Sequence, residues 1–327
     1  MSAPLLQVEG LTVTFTTPRG PVHAVDGMSF SVDAGEVLGI VGESGSGKSV
    51  TVRAVPRLLH DSATVRGRVL WRGDDLHAMS AERLRATRGG QIASVFQEPM
   101  AALNPVLSIG LQIDEALVAH TGLDRAARRR RALELLGLVG IASAAARLQQ
   151  YPHEFSGGMR QRAMIAIALA ASPALLLADE PTTALDVTIQ DQILKLLLRL
   201  VADLGMALVL VTHDLGVIAE TCDRVAVMYA GRLCETGGVA EMFARPRHAY
   251  TSALLRSMPG EGAARSLLVP IPGQPPRVDA PVPGCAFAPR CTFAEARCTT
   301  ERPPLLAIAD RHLSACHAAA RLGAQAA

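Results

Sequence analysis

An eight-residue segment, Gly42 to Ser49, has the composition of a phosphate-binding loop. It reads Gly-Glu-Ser-Gly-Ser-Gly-Lys-Ser and fits the pattern G-x-x-x-x-G-K-[ST]. In such a loop the glycines let successive backbone N–H groups turn toward phosphate oxygens, and the start of the following helix adds partial positive charge. Ser49 is expected to hold Mg²⁺ through its hydroxyl. The residues expected to contact the phosphates of ATP are Gly42, Glu43, Ser44, Gly45, Ser46, Gly47 and Lys48.

The chain uses lysine sparingly, which singles out Lys48. Only two lysines, Lys48 and Lys195, occur among its 32 basic residues. A lysine ammonium is a compact charge that fits between phosphates, whereas the planar arginine fork suits bidentate partners. The residue type at this position is therefore expected to follow from shape as well as charge.

A second group of candidate residues follows the apolar segment "LLLADE". Its last two residues are Asp179 and Glu180. The carboxyl ends of parallel strands converge on a ligand crevice, so Asp179 is placed to reach Mg²⁺ and Glu180 to polarise an attacking water. Alone, an acidic pair after a strand is typical of a solvated strand end. The phosphate loop upstream favours the catalytic interpretation.

The elements around these residues predict an α/β domain. Leu6–Phe15 and Val22–Val32 alternate apolar and polar residues and predict antiparallel strands. Residues 99–156 are helical in pattern, and strands alternate with helices after them, which implies parallel pairing. Further strands are predicted at Val37–Val41, Gly67–Trp71, Ile92–Gln97, Leu175–Asp179, Met206–Thr212 and Arg224–Tyr229, and helices at Gly158–Ala171, Ile189–Asp203 and Leu215–Glu220.

The bulk composition is that of a globular protein of one or two domains. The 327 residues are 49% hydrophobic and 19% charged, with a formal net charge of +2. This charge gives no reason to expect nucleic acid as a partner. The longest apolar stretch, Met164 to Ala178, is shorter than the roughly 20 residues of a membrane-spanning helix. The N-terminus lacks a signal peptide pattern, so a reducing cytosol is expected.

Four more motifs follow in order along the chain. They are Gln97 after a strand, "FSGGMRQR" at Phe155–Arg162, Ala184-Leu185-Asp186, and His213 in "VTHD". Together with the phosphate loop and the acidic pair, they resemble the ATP-binding cassette (ABC) family, whose signature is usually LSGGQ. Phe155 and Met159 depart from that signature.

The resemblance implies a fold and residue roles. The fold is a P-loop ABC ATPase with a mostly parallel core sheet, an antiparallel N-terminal β subdomain and a helical insertion. Two cassettes meet head to tail, so that Ser156, Gly157 and Gly158 of one contact the ATP held by the other. The remaining implied roles are Gln97 for sensing Mg²⁺ and water, Asp186 for the D-loop, His213 for the γ-phosphate and Phe15 for stacking on adenine. A phenylalanine and a histidine at strand ends are otherwise typical core residues.

Almost the whole chain resembles the ATP-binding subunits of bacterial oligopeptide and dipeptide importers, including "FQEPMAALNPVLSIGLQIDEAL" and "RPRHAYTSALL". This resemblance implies two membrane permeases, an extracytoplasmic solute-binding protein and a position at the cytoplasmic face of the inner membrane. The second ATPase subunit is a related chain or another copy of this one. Importers of other solutes, such as metal chelates, remain an alternative.

A soluble cassette ATPase of DNA repair or translation is a further alternative. Only 58 residues separate Gln97 from Ser156, and the chain has one cassette, which disfavours both. The arginine run Arg128–Arg131 is interpreted as a solvated helix face, with acidic lipid headgroups as the alternative contact.

A proline-rich segment precedes a cysteine-rich tail. Seven prolines lie in residues 259–283, so a linker is predicted at 259–284, after a nucleotide-binding domain at 1–258 with a helical part at about 99–160. The tail, 285–327, is predicted to be irregular. Thiols gathered in a reducing compartment suggest metal ligation, although their spacing selects no metal.

The four cysteines of the tail are Cys285, Cys291, Cys298 and Cys316. The family resemblance implies a [4Fe–4S] cluster bound by them. Zn²⁺ and free thiols remain open as alternatives. Cys222 and Cys234, among apolar residues, are predicted to be ordinary buried thiols.

Overall fold

The computed structural model describes residues 3–183, 185–258, 270–276 and 282–325. The chain forms two compact units. The first unit comprises residues 1–32, 37–77 and 211–327, and the second comprises residues 33–36 and 78–210. Much of the predicted linker and Ala184 lie outside the described residues, and the domain boundaries at 258 and 284 stay a prediction.

The first unit begins with an antiparallel sheet in the order β2-β1-β4-β5. Leu6 pairs with Val32 and Phe15 with Val22, so the two predicted strands are antiparallel to each other. The core face of β1 carries fully buried apolar side chains, including Leu6, Leu11 and Val13. The strands are β1 (Leu6–Thr17), β2 (Gly20–Val32), β4 (Ala63–Trp71) and β5 (Asp74–Asp75).

A second group of strands in the first unit has the order β11-β12-β10-β9-β3. β3 pairs in parallel with β9, and all five residues of β3 are buried, which is typical of a parallel strand covered on both faces. The strands are β3 (Val37–Val41), β9 (Arg224–Tyr229), β10 (Arg232–Gly238), β11 (Leu306–Ala309) and β12 (His312–Ser314). The helices of this unit are α1 (Lys48–Ala54), α9 (Leu215–Thr221), α10 (Val239–Ala244), α11 (Ala249–Arg256), α12 (Arg297–Thr300) and α13 (Ala319–Gln325).

The second unit contains the helical insertion and its own parallel strands. β6 pairs in parallel with β7, and β8 lies on the other side of β7. Residues 99–156 are helical or irregular with no strand, as predicted. The strands are β6 (Ile92–Val95), β7 (Leu175–Asp179) and β8 (Ala207–Thr212), of which residues 207–210 belong to this unit. The helices are α2 (Ala81–Thr87), α3 (Pro99–Ala102), α4 (Ile109–His120), α5 (Arg125–Leu138), α6 (Ala144–Arg147), α7 (Gly157–Ala168) and α8 (Val187–Leu204).

The structure adds regular elements that the sequence pattern did not predict. β10 has the sequence RLCETGG, whose glutamate and glycines disfavour a strand. Glu235 is nevertheless fully buried there, because its carboxylate accepts hydrogen bonds from the backbone N–H groups of Arg247 and His248. The tail is less irregular than predicted, since β11 and β12 form a hairpin against β10.

Within the described ranges, no helix combines the length and the apolar character needed to cross a membrane.

Candidate active site

The phosphate loop of the first unit connects β3 to α1. Helix α1 begins at Lys48, and Gly47 precedes it with a left-handed φ of 98°. A Cβ at Gly47 would lie 2.4 Å from the carbonyl oxygen of Ala24, so only glycine fits. The sequence pattern therefore predicts the turn correctly, and the backbone explains why a glycine precedes the lysine.

Lys48 lies over its own loop. Its side chain is almost fully buried, and Nζ donates hydrogen bonds to the carbonyl oxygens of Gly42 at 2.8 Å and Glu43 at 3.1 Å. Ser46 is also buried, and its Oγ has no hydrogen-bond partner within the described part of the chain. A buried hydroxyl without a partner is costly unless a ligand satisfies it. The loop thus has the donors that a phosphate group would accept from.

The other predicted residues of the first unit are accessible to a ligand. Ser49, in the first turn of α1, and Phe15, on β1, are half-buried, so neither is a full core residue. His213 follows β8 and is exposed, so it is not a core residue. Asp214, next to it, caps α9 by accepting hydrogen bonds from the N–H groups of Gly216 and Val217.

In the second unit, β7 ends in the predicted acidic pair. Asp179 is buried with 2% of its surface exposed. Glu180 has a left-handed φ of 47°, which is rare for a residue with a side chain and costs about 1 to 3 kcal/mol. Its Oε2 accepts hydrogen bonds from Gln97 Nε2 at 3.3 Å and from Thr183 Oγ1 at 2.9 Å. The structure thus brings Gln97 and Glu180 into contact. The spacing of the two residues in the sequence could not establish this contact.

The signature segment lies at the start of α7. Ser156 and Gly157 are exposed, and the Ser156 hydroxyl caps the helix by accepting a hydrogen bond from the N–H of Met159 at 3.3 Å. A Cβ at Gly158 would lie 2.8 Å from Ile189 Cγ2, so a larger residue would force the Ile189 side chain or its backbone to shift. Phe155, which replaces the usual leucine, is buried and keeps an apolar role.

Asp186, the predicted D-loop residue, caps α8. It is exposed, and its Oδ1 accepts a hydrogen bond from the N–H of Ile189 at 3.0 Å. A carboxylate before a helix N-terminus is favourable for helix stability, so this geometry is explained without a ligand.

Two residues that the sequence did not single out contact the phosphate loop, and a third contacts one of those two. Tyr250 accepts a hydrogen bond from the N–H of Glu43, and Arg290 forms an ion pair with the Glu43 carboxylate. Tyr229 accepts a hydrogen bond from the same arginine. These residues lie about 190 to 250 positions from the loop in the chain, so no local pattern points to them.

The four tail cysteines are free thiols that belong to one part of the first unit. The N–H of Cys285 donates to the carbonyl oxygen of Cys298 at 2.8 Å. The sulfur of Cys291 accepts from the N–H of Phe293, and that of Cys298 from the N–H of Glu295. Burial raises the pKa of the thiols of Cys285 and Cys316, and raises that of Cys291 to about 11.

These thiols do not form a ready-made metal centre. Among the described residues, no three His, Cys, Asp or Glu side chains are grouped so that they could hold a metal ion. The described residues therefore offer no preformed site for a single ion such as zinc. Of the two other cysteines, Cys234 is buried as predicted, and Cys222 is partly exposed.

The strand–loop–helix geometry around Lys48 defines a P-loop nucleotide-binding protein, and comparison with known proteins narrows the class. The "ABC transporter" family profile matches residues 25–183, and the "Oligopeptide/dipeptide transporter, C-terminal region" profile matches residues 234–298. The chain is 50% identical over 315 residues to a probable peptide ABC transporter ATP-binding protein of Sinorhizobium fredii, covering 95% of this chain and 94% of that protein. The chain belongs to the ABC transporter family, as one of its ATP-binding proteins.

Other relatives and solved structures agree with this assignment. The dipeptide transport ATP-binding protein DppD of Escherichia coli is 49% identical, with 96% of each chain covered. The oligopeptide transport ATP-binding protein OppD of Bacillus subtilis is also 49% identical, covering 94% of this chain and 87% of OppD. The ATP-binding cassette MJ0796, solved as a dimer bound to ADP and Pi, has a TM-score of 0.64 and 29% identity, covering 72% of this chain and 98% of that one.

Proposed function

We propose that this chain is the ATP-hydrolysing subunit of an importer of di- or oligopeptides. The observation that carries the proposal is that one chain joins the phosphate loop at Gly42–Ser49 to the C-terminal region typical of oligopeptide and dipeptide transporters. The relatives named above carry peptide, oligopeptide or dipeptide transport in their names, which gives no support to the DNA repair, translation or metal-chelate alternatives. The names of the relatives favour peptides as the cargo.

The proposed mechanism assigns each loop and strand-end residue one task. The N–H groups of Gly42–Ser49 and the ammonium of Lys48 bind the phosphates of ATP. Bound Mg²⁺ supplies charge neutralisation, and Ser49, Asp179 and Gln97 would hold it. Glu180 accepts a hydrogen bond from the attacking water and orients it in line with the γ-phosphate, and His213 contacts that phosphate. Phe15 stacks on adenine.

The proposed site is completed by a second cassette. Ser156, Gly157 and Gly158 of one cassette contact the ATP of the other, and Asp186 lies at the same interface, so hydrolysis requires a dimer. The exposure of Ser156, Gly157 and Asp186 supports this assignment, because these residues are accessible to a partner. We propose a related but different chain as the second cassette, with a second copy as the alternative outcome.

The proposed complex includes two membrane permeases and an extracytoplasmic solute-binding protein, and this chain works at the cytoplasmic face of the inner membrane. The helical insertion would receive the permeases. Exposed apolar side chains at Met100, Val106 and Val118 support contact with a partner there.

Reconstitution tests this function directly. The chain is co-expressed with permease subunits of a peptide importer, purified, and placed in lipid vesicles with the solute-binding protein. ATP-dependent accumulation of a labelled dipeptide or oligopeptide supports the proposal. If the vesicles hydrolyse ATP and accumulate a metal chelate but neither peptide, the assigned cargo would be wrong and the role as the ATP-hydrolysing subunit would stand. Co-purification with ribosomes or DNA instead of permeases would overturn both.

We also propose that Cys285, Cys291, Cys298 and Cys316 bind a [4Fe–4S] cluster that stabilises the tail. Backbone N–H donors to Cys291 and Cys298 and the close backbone pairing of Cys285 with Cys298 support it. In a [4Fe–4S] cluster each cysteine ligates a different iron, so the four thiols need not converge on one ion. Anaerobic purification followed by iron and sulfide analysis tests the cluster, with Cys222→Ser as the control. Zinc without sulfide, or no metal, would refute it.

A further inference from the structure

Glu43 is the second residue of the phosphate loop. Its backbone N–H, its backbone carbonyl oxygen and its carboxylate each make a hydrogen bond or an ion pair. Its N–H donates to the hydroxyl of Tyr250 at 2.9 Å, and its carbonyl oxygen accepts from Lys48 Nζ at 3.1 Å. Its carboxylate pairs with both terminal nitrogens of Arg290, at 2.8 and 3.0 Å. The loop is therefore fixed at this residue from outside the loop.

The guanidinium of Arg290 is fully satisfied. Nη1 donates to Glu43 and to the hydroxyl of Tyr229 at 3.1 Å, and Nη2 donates to Glu43 and to the carbonyl oxygen of Ile271 at 3.3 Å. Nε donates to the carbonyl oxygen of Pro272 at 2.8 Å. These contacts use all five N–H groups of the side chain, which is only 6% exposed. A guanidinium whose N–H groups all donate hydrogen bonds is held in one orientation.

An aromatic cluster supports the arginine. The rings of Tyr229, Tyr250 and Phe287 lie with centroids 4.6 to 5.4 Å apart, and Tyr229 and Tyr250 are almost completely buried. The guanidinium carbon of Arg290 lies 5.8 Å from the Tyr229 ring centre and 5.9 Å from that of Phe287. The arrangement adds cation–π attraction to the hydrogen bonds.

The position of Arg290 is set by the cysteine-rich segment. Arg290 ends a short turn, Ala288–Arg290, that lies between Cys285 and Cys291. The N–H of Ala288 donates to the carbonyl oxygen of Cys285, and the N–H of Cys291 donates to that of Ala288. A continuous series of contacts thus connects this segment to the phosphate loop.

We propose that Arg290 is a positioning residue for the phosphate loop, through which the cysteine-rich segment strengthens the binding of a nucleoside triphosphate. This inference rests on the proposed function, because it takes Gly42–Ser49 as the site of ATP. Arg290 neutralises the Glu43 carboxylate, which would otherwise repel the phosphates, and it fixes the loop backbone through the same side chain. Removal of one partner from a largely buried ion pair leaves the other charge uncompensated.

The test compares variants of the full-length chain by equilibrium binding of Mg-ATP. Arg290→Ala is expected to raise Kd about tenfold. Arg302→Ala is the matched control, because Arg302 also joins the tail to an acidic residue, Asp26, but does not contact the loop. Asp26 keeps its ion pair with Arg232 in that variant, so its Kd is expected to stay within about twofold of wild type.

Two further measurements separate positioning from a general loss of stability. In the reconstituted transporter, Arg290→Ala is expected to raise KM for ATP by the same factor as Kd, with kcat at saturation within about twofold of wild type. Glu43→Gln, added to Arg290→Ala, removes the uncompensated charge. The double variant is expected to recover at least half of the increase in log Kd for Mg-ATP. If Arg290→Ala does not fold, Arg290→Lys replaces it, with a smaller increase in Kd expected.

The outcomes are distinguishable from failure of the proposed function. Wild-type protein that binds no Mg-ATP would refute the function itself. Wild-type protein that binds and hydrolyses ATP, together with an unchanged Kd in Arg290→Ala, would refute only the role of Arg290. A double variant as weak as Arg290→Ala alone would also refute it, because the uncompensated carboxylate would then not be the cause.

Discussion

Gln97 Nε2 donates a hydrogen bond of 3.3 Å to Glu180 Oε2. The two residues follow β6 and β7, which pair in parallel with Val95 opposite Ala178. The register of the two strands thus sets the spacing of the pair. Thr183 Oγ1 donates to the same carboxylate oxygen, so two side chains hold Glu180 in one orientation.

Glu180→Gln is expected to keep Mg-ATP binding and to lower kcat by at least about 100-fold, because the amide cannot polarise water as the carboxylate does. The variant should also accumulate as an ATP-bound dimer, since the step that separates the two cassettes is blocked. Phosphate release and size-exclusion chromatography with Mg-ATP measure the two effects. Wild-type turnover in this variant would contradict the assignment of Glu180.

Gln97→Ala is expected to lower kcat about tenfold with a change in KM of less than about threefold, because it removes a donor that orients Glu180. Thr183→Val removes a second donor to the same oxygen and is the comparison. The double variant should lose less than the product of the two single effects, since both donors act on one oxygen. Multiplicative losses would show that Gln97 acts independently of Glu180.

Ser156→Arg is expected to abolish ATP-dependent dimerisation, while the Kd for Mg-ATP stays within about twofold of wild type, because in the proposed dimer Ser156 contacts the ATP held by the partner cassette. Ser80→Arg is the matched control. Both serines are exposed, and each caps a helix by accepting a hydrogen bond of 3.3 Å, from the N–H of Met159 and of Arg83 respectively. Ser156→Arg that still dimerises with ATP would contradict the head-to-tail arrangement.

His312→Gln is expected to destabilise the protein more at pH 5.5 than at pH 9. The hydrogen bond with Glu235, at 2.8 Å, raises the pKa of His312 above its ordinary value of 6.5. Glu241 also faces the ring, at 3.3 Å. The folded state therefore binds the proton more tightly than the unfolded state, and this stability is complete below pH 6.5 and is lost as pH rises through the folded pKa.

Urea unfolding at both pH values measures this effect, with His248→Gln as the control of opposite sign. Burial lowers the pKa of His248 to about 4, so protonation of the unfolded state below pH 6.5 weakens the fold. His248→Gln removes that penalty and should cost less stability at pH 5.5 than at pH 9. The same pH trend in both variants would contradict the pairing of His312 with Glu235.

The sequence predicts the parts of the site that depend on local patterns. The turn before Lys48 follows from glycine spacing, and the buried strands that end at Val41 and Asp179 follow from their apolar runs. Contacts between distant segments could not be predicted, because a side chain such as that of Arg290 gives no local sign of its partner, Glu43. The strained φ of Glu180 is equally invisible in the sequence, since glutamate rarely adopts it.

The strand β10 shows a different limit. Its glutamate and glycines disfavour a strand. Glu235 is nevertheless buried there, because its carboxylate has hydrogen-bond partners in the backbone N–H groups of Arg247 and His248 and in the ring of His312. Tertiary partners therefore override local propensity at this position.

The most direct test of the account is the binding and hydrolysis of Mg-ATP by variants of the two lysines. Lys195 is exposed and pairs with Asp191 on the surface of α8, whereas Lys48 is buried in the phosphate loop. Lys48→Ala is expected to raise Kd for Mg-ATP at least about 30-fold and to abolish turnover, and Lys195→Ala should behave as wild type. Equal Kd values for wild type and Lys48→Ala would contradict the central claim that this loop binds ATP.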